Sequence, residues 1–208
     1  MLIVGLTGSI GMGKSTAAQR FRHHAIPVCD ADAEVHKLYS GSAAPLIEQA
    51  FPGSTHEGVV QRPKLAKLLL ADPAGFERLE AIVHPLVRDA ERDFLDAAFE
   101  AGHDIAVLEI PLLFEADSDR LVDRTVVVSA GEHEQRRRVL ERPGMTVQKL
   151  DAILDRQLPD AEKRRKADFL VDTSGPIADS QAQLDDIIAQ LKLLAPSAKA
   201  YQRHWARP

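Results

Sequence analysis

Residues 8 to 16 read Gly-Ser-Ile-Gly-Met-Gly-Lys-Ser-Thr, so that Gly8 is followed after four residues by Gly13-Lys14-Ser15. This spacing belongs to loops that cradle phosphates with backbone N–H groups at the start of a helix. A polyphosphate carries several negative charges, and a concave run of N–H dipoles is a fixed positive site for it. Gly8, Gly11 and Gly13 let the backbone approach without a Cβ and permit positive φ. Within the motif, Gly11, Met12, Gly13, Lys14, Ser15 and Thr16 are the expected nucleotide contacts. Lys14 would reach the β- and γ-phosphates of a bound triphosphate, and the Ser15 hydroxyl would ligate Mg²⁺. The bland alternative is a glycine-rich turn opening a structural helix.

Other polar residues fall where strands of an open parallel sheet would deliver them, at the carboxyl ends. Lys14 and Ser15 follow a first apolar run, Asp32 a second and Glu109 a third, so all four are expected to converge on one cleft. Asp32 either takes a proton from an acceptor hydroxyl or caps a helix. Glu109 is either a strand-end acid that helps hold Mg²⁺ or an ordinary carboxylate. Arg138 and Arg142, four apart, would share a helix face and clamp phosphates, whereas Arg136 and Arg137 would face solvent. His84 reads as a capping or core histidine. The eight histidines and one cysteine have no zinc spacing, leaving Mg²⁺ as the only metal expected.

The elements that must position these residues follow from apolar patterning. Leu2 to Leu6 is a short buried strand running straight into the loop, and Ala17, Ala18 and Phe21 lie at helical spacing after it. Ile26 to Cys29, Ile105 to Ile110, Thr125 to Val128 and Phe169 to Val171 read as four further strands. Residues 33 to 101 are mostly helical, with loop from Pro52 to Gly58, a helix starting near Pro73 and an interruption after His84 at Pro85. Gly102 is a C-cap. Ser129 to Glu132 has capping-box spacing ahead of a helix through Arg142, and Thr146 caps the next. Leu184, Ile187, Ile188 and Leu191 mark a closing amphipathic helix. Five strands separated by helices give an α/β fold with a parallel sheet covered on both faces. The tail from Pro196 to Pro208 carries Tyr201 and Trp205 and either docks on the core or moves.

Composition narrows the function class. The chain has 208 residues, 45% hydrophobic and 27% charged, normal for one globular domain with an inserted lid. No apolar run reaches membrane-spanning length, and the N-terminus lacks a secretory pattern. Lone Cys29 excludes an internal disulfide, which suits the cytoplasm. A net charge of −5 argues against nucleic-acid binding. Residues 131 to 166 nevertheless hold ten Lys or Arg against seven Asp or Glu, which makes that stretch a candidate phosphate clamp in an acidic chain. For most of these residues a solvated helix face is the simpler reading.

Taken together, the chain resembles the dephospho-coenzyme A kinase family over most of its length. The resemblance rests on the loop from Leu6 to Thr16, on Asp30-Ala31-Asp32, and on Gly58 through Arg62 with Leu65. It rests further on Leu79-Glu80-Ala81-Ile82-Val83-His84-Pro85 and Pro111-Leu112-Leu113-Phe114-Glu115. Gln135, Arg138, Arg142, Arg156-Gln157, Lys163 and Ala167-Asp168 continue it. It implies a P-loop NTPase fold with core segments 1–32, 102–130 and 167–195, a helical substrate domain 33–101, a lid 131–166 and a tail 196–208. It also implies that ATP phosphorylates the ribose 3′-hydroxyl of dephospho-CoA, giving coenzyme A and ADP. On that reading Asp32 is the acceptor-side base, and Arg62, His84, Leu112 and Leu113 border the substrate. Lys14 and Arg138 stabilise the transferred group, and Arg142 contacts the nucleotide. Two departures stand out: many relatives have Asp at Glu109, and an Asn common near position 173 is Thr173 here.

The resemblance leaves small-molecule partners only, with a monomer or weak homo-oligomer expected. The nearest rival is another small-molecule kinase, of nucleoside or shikimate type. A GTP-binding switch would need an Asn-Lys-x-Asp motif, and the chain contains no asparagine. A non-enzymatic ATP-binding module would keep Lys14 without a use for Asp32 and the arginine pair together.

Overall fold

The apolar run after Met1 forms β1 (Leu2–Thr7), all of it buried. It leads through the glycine loop into α1 (Lys14–His23). The computed structural model describes residues 1–207. Further strands are β2 (Val28–Asp30), the short β3 (Thr55–His56) and β4 (Val59–Val60), then β5 (Ile105–Glu109), β6 (Arg124–Ser129) and β7 (Phe169–Asp172). Helices after α1 are α2 (Ala31–Tyr39), α3 (Ala43–Ala50), α4 (Arg62–Leu70), α5 (Gly75–Glu100), α6 (Glu132–Leu140), α7 (Val147–Leu154), α8 (Asp160–Lys166) and α9 (Ile177–Leu194).

The main sheet is five-stranded in the order β2-β5-β1-β6-β7. β1 pairs parallel with β5 and β6, and β6 pairs parallel with β7. The expected parallel α/β sheet is therefore present, with β1 at its centre. Leu2, Val4 and Leu6 pack with Ala17, Ala18 and Phe21 of α1 and with Leu184, Ile187, Ile188 and Leu191 of α9. Those four positions on α9 are the stripe its spacing predicts, and all are buried.

The chain separates into two compact units, one of residues 30–94 and one of residues 1–29 with the part from Leu95 onward. The 30–94 unit has its own apolar centre, built from Ala43, Ala44, Ile47, Phe51, Val60, Leu65, Leu69 and Val83. Its segment 52–58 differs from expectation. β3 and β4 pair there as a small antiparallel hairpin turning at Glu57-Gly58. Glu48 organises its approach, accepting from Gly53 N, Thr55 N and Thr55 Oγ1, and these bonds hold its carboxyl below the usual range. Loop-like composition hid a hairpin that a glutamate from α3 holds in place.

Pro85 does not interrupt its helix, because α5 runs unbroken from Gly75 to Glu100 with Pro85 inside. A proline removes one helical N–H and crowds the preceding turn, a local cost that burial of the helix's apolar stripe outweighs here. Val83 before it and Leu95 after it are both buried. α5 begins two residues beyond Pro73, where an Asp72 carboxylate oxygen accepts from Ala74 N at 3.0 Å. It ends in a Schellman turn, with Gly102 N donating to Phe99 O and His103 N to Ala98 O.

The tail is docked. Asp123 accepts from Lys199 N and Ala200 N with one oxygen and from Ile3 N with the other. Tyr201 stacks on Phe99 at 4.6 Å and donates to Asp96, while Trp205 is 1% exposed and donates Nε1–H to Leu121 O. Burial, with Asp96 adding to it, pushes the Tyr201 hydroxyl up to about 12. Residue 208 lies outside the described residues.

Candidate active site

The phosphate loop occupies the carboxyl end of β1. Gly11 and Gly13 have φ of 79° and 89°, in the left-handed region where a side chain is disfavoured. A Cβ on Gly11 would also lie 2.5 Å from Val139 Cγ2. Gly8 serves close approach rather than positive φ, since a Cβ there would stand 2.6 Å from the Val128 carbonyl oxygen. Lys14 begins α1, and its Nζ donates to Glu109 Oε1 at 2.9 Å. Glu109 ends β5 with its side chain 3% exposed. The parallel pairing of β1 with β5 puts Glu109 opposite Leu6, one residue short of the loop. Ser15 is exposed on the first turn of α1.

The 131–166 segment holds the loop through hydrogen bonds. Gln135, buried on α6, donates Nε2–H to Ile10 O at 2.8 Å. Gln157 accepts from Ile10 N at 3.1 Å. Arg138 donates to the Thr173 carbonyl at 2.6 Å, to the Thr173 hydroxyl at 3.3 Å and to Glu134 at 2.7 Å. Thr173 in turn donates Oγ1–H to Met12 O at 2.9 Å. Arg137 and Arg138 together pull the Glu134 carboxyl down to about 2, the Arg137 hydrogen bond contributing most.

Arg138 and Arg142 do not share a helix face. α6 ends at Leu140, so Arg142 lies in the turn before Pro143 and is exposed. The residue before a proline avoids the helical region, which stops the helix there. The capping box is also not formed. Gly131 is the N-cap of α6 without a side-chain bond, and the Ser129 hydroxyl donates to Asp160 at 2.7 Å instead. Thr146 does cap α7, accepting from Lys149 N. Arg136 is partly exposed and pairs with exposed Asp151 of α7, and Arg137 is exposed.

The segment after β5 is fastened from two sides. The Pro111 carbonyl accepts from Thr7 Oγ1 at 3.1 Å and from Lys163 Nζ at 3.2 Å. Lys163 is wholly buried and pairs with Glu115 at 2.8 Å. Leu113 is buried with Phe114 and Val127, while Leu112 is 41% exposed.

Asp32, Arg62 and His84 belong to the 30–94 unit. Asp30, and not Asp32, caps α2, its side chain accepting from Ala33 N at 3.1 Å. Asp32 is exposed in the first helical turn. Arg62 opens α4 and stands 5.5 Å from the Tyr39 ring centroid. His84 is exposed in mid-α5, neither core nor cap, because the buried stripe there runs through Val83.

Within the 1–29 and 95-onward unit the structure thus joins Lys14 to Glu109 and Arg138 to the loop through Thr173. The resemblance includes Gln135 and Gln157 in its pattern and sets Thr173 apart as a departure, but it assigns none of the three a contact with the loop. Gln135 also has a local signal, an amide on the inward stripe of α6 one turn before Val139; for Gln157 and Thr173, in turns, the family pattern is the one signal.

A family model described as dephospho-CoA kinase matches residues 2–179. The chain belongs to the dephospho-CoA kinase family. A dephospho-CoA kinase of Rhizobium etli is 55% identical over 193 residues, covering 93% of this chain and 95% of that protein. One from Brucella melitensis is 54% identical over 191 residues, covering 92% and 96%. A crystal structure of a Thermus thermophilus protein is 34% identical and superposes with a TM-score of 0.79, covering 91% of this chain and 97% of that one.

Proposed function

We propose that this kinase transfers the γ-phosphoryl group of ATP to the ribose 3′-hydroxyl of dephospho-CoA, giving coenzyme A and ADP in the last step of coenzyme A synthesis. The observation that carries the reading is the Lys14 ammonium held 2.9 Å from buried Glu109 at the mouth of a phosphate loop, in a chain whose family match spans 2–179.

Phosphoryl transfer asks the protein mainly for positioning and for compensation of charge. Loop N–H groups of Gly11 to Thr16 bind the phosphates, and Glu109 keeps the Lys14 ammonium oriented for the β- and γ-oxygens. Arg138 and Arg142 neutralise charge on the nucleotide side. Asp32 accepts the proton of the acceptor hydroxyl; Asp30 supplies the cap, so the Asp32 carboxylate is available for this role. Arg62, His84 and Leu112 border the dephospho-CoA, whereas the Leu113 side chain is wholly buried with Phe114 and Val127. Mg²⁺ favours one or two protein oxygens alongside phosphate oxygens and water, and Ser15 and Glu109 are donors of that kind. When bound, the ion would neutralise charge on the β- and γ-phosphates. The reaction requires small molecules alone and suits a cytoplasmic monomer or weak homo-oligomer. Among the described residues, no helix is long and apolar enough to cross a membrane.

The test is Mg²⁺-dependent ATP consumption with dephospho-CoA, adenosine and shikimate as separate acceptors. Turnover with dephospho-CoA alone is expected; turnover with another acceptor alone would overturn the assignment.

A further inference from the structure

Ile10 stands in the phosphate loop between Gly8 and Gly11, and both polar groups of its backbone are taken by side chains from far along the chain. Its carbonyl accepts from Gln135 Nε2 at 2.8 Å and its N–H donates to Gln157 Oε1 at 3.1 Å. Backbone chemistry fixes the amide orientations: a carbonyl can only accept, so Gln135 must present nitrogen, and an N–H can only donate, so Gln157 must present oxygen. The next loop residue, Gly11, packs against Val139 of α6, and the carbonyl after it, Met12 O, is bonded to Thr173, itself held by Arg138. Three consecutive loop residues are therefore fixed from α6, from the turn before α8 and from the turn after β7.

We propose that Gln135 and Gln157 are positioning residues that set the phosphate loop in its nucleotide-binding shape and couple it to the 131–166 segment. The proposal rests on the reading of this loop as the ATP site. Without these two bonds, the peptides on either side of Ile10 can rotate toward water, with Gly11 at φ 79° as a ready pivot. Each rotation misdirects an N–H dipole in a site that works by aligned dipoles. Neutral amides suit the position. They read both a donor and an acceptor, yet place no carboxylate beside a polyanion and no cation that would compete with Lys14. Any displacement of α6 and the Gln157 turn changes the loop, and by reciprocity nucleotide binding shifts that segment.

The test measures ATP binding to the full chain by calorimetry without acceptor, followed by KM for ATP and for dephospho-CoA. Gln157→Met and Gln135→Met each remove one bond and should weaken ATP binding and raise its KM about tenfold. The acceptor KM and the melting temperature should stay near those of the wild type. Gln157→Glu keeps an oxygen acceptor and, in about 0.5 M salt to screen its charge, should bind ATP within about threefold of wild type. Unchanged ATP affinity in both methionine variants would overturn the proposal. So would an acceptor KM rising in step with that for ATP, the mark of a general structural defect. Wild-type protein that fails to bind ATP would remove the underlying reading instead, separating the two failures.

Discussion

Lys14 and Glu109 form one electrostatic unit, with side chains 16% and 3% exposed. Replacing Glu109 by Gln keeps the shape and a hydrogen bond but loses the charge that fixes the ammonium. We expect kcat/KM for ATP to fall about a hundredfold, measured at saturating acceptor. Two aspartates at the start of α2 should separate cleanly. Asp30→Ala removes the observed cap and should lower stability by about 1 kcal/mol with turnover largely kept. Asp32→Asn should lower kcat by about 10²–10⁴-fold with no change in the denaturant midpoint. Equal effects of the two on turnover would remove Asp32 from the chemistry. At this scale the phosphate loop was legible because its residue types and spacing are local. The partners of its side chains and backbone were not. Glu109 lies 95 residues from Lys14 and Gln157 lies 147 from Ile10, and no local pattern encodes such pairings.

At the scale of elements, local rules held where packing agreed with spacing and failed where packing outweighed them. The stripe on α9 and the Thr146 cap were readable from spacing. Pro85 does not break α5 because burial of the helix's apolar stripe outweighs one missing N–H, and the 55–60 hairpin escapes local patterning because Glu48 of α3 supplies the acceptors that hold its approach. Asp123 is a junction between elements, serving β1 with one oxygen and the tail with the other. Asp123→Ala leaves three backbone donors to find water. Unfolding in urea should show a loss of about 2–4 kcal/mol; a loss below about 0.5 kcal/mol would mean that solvent replaces the carboxylate without cost.

Over the whole molecule, stability should depend on pH through Glu91. This α5 residue is 4% exposed, and burial, opposed by Arg88, raises its carboxyl from the ordinary 4.5 to about 7. Between those values the folded chain keeps a proton that the unfolded chain has released, so stability falls as pH rises across the window and stays lowered above it. The penalty is on the order of 3 kcal/mol near pH 8. Glu91→Gln should raise the urea midpoint at pH 8 and have little effect at pH 4.5. A gain of equal size at both pH values would show that packing, not ionisation, is responsible.

The chain has a single tryptophan, and it is the buried Trp205 of the tail. Intrinsic fluorescence is thus a one-site probe. Its emission should be blue-shifted in the native protein and move to the red only when the last turn leaves the surface around Leu121. An Asp123→Ala variant would then announce a loosened tail as a spectral change at denaturant concentrations where far-ultraviolet circular dichroism still reads intact helices.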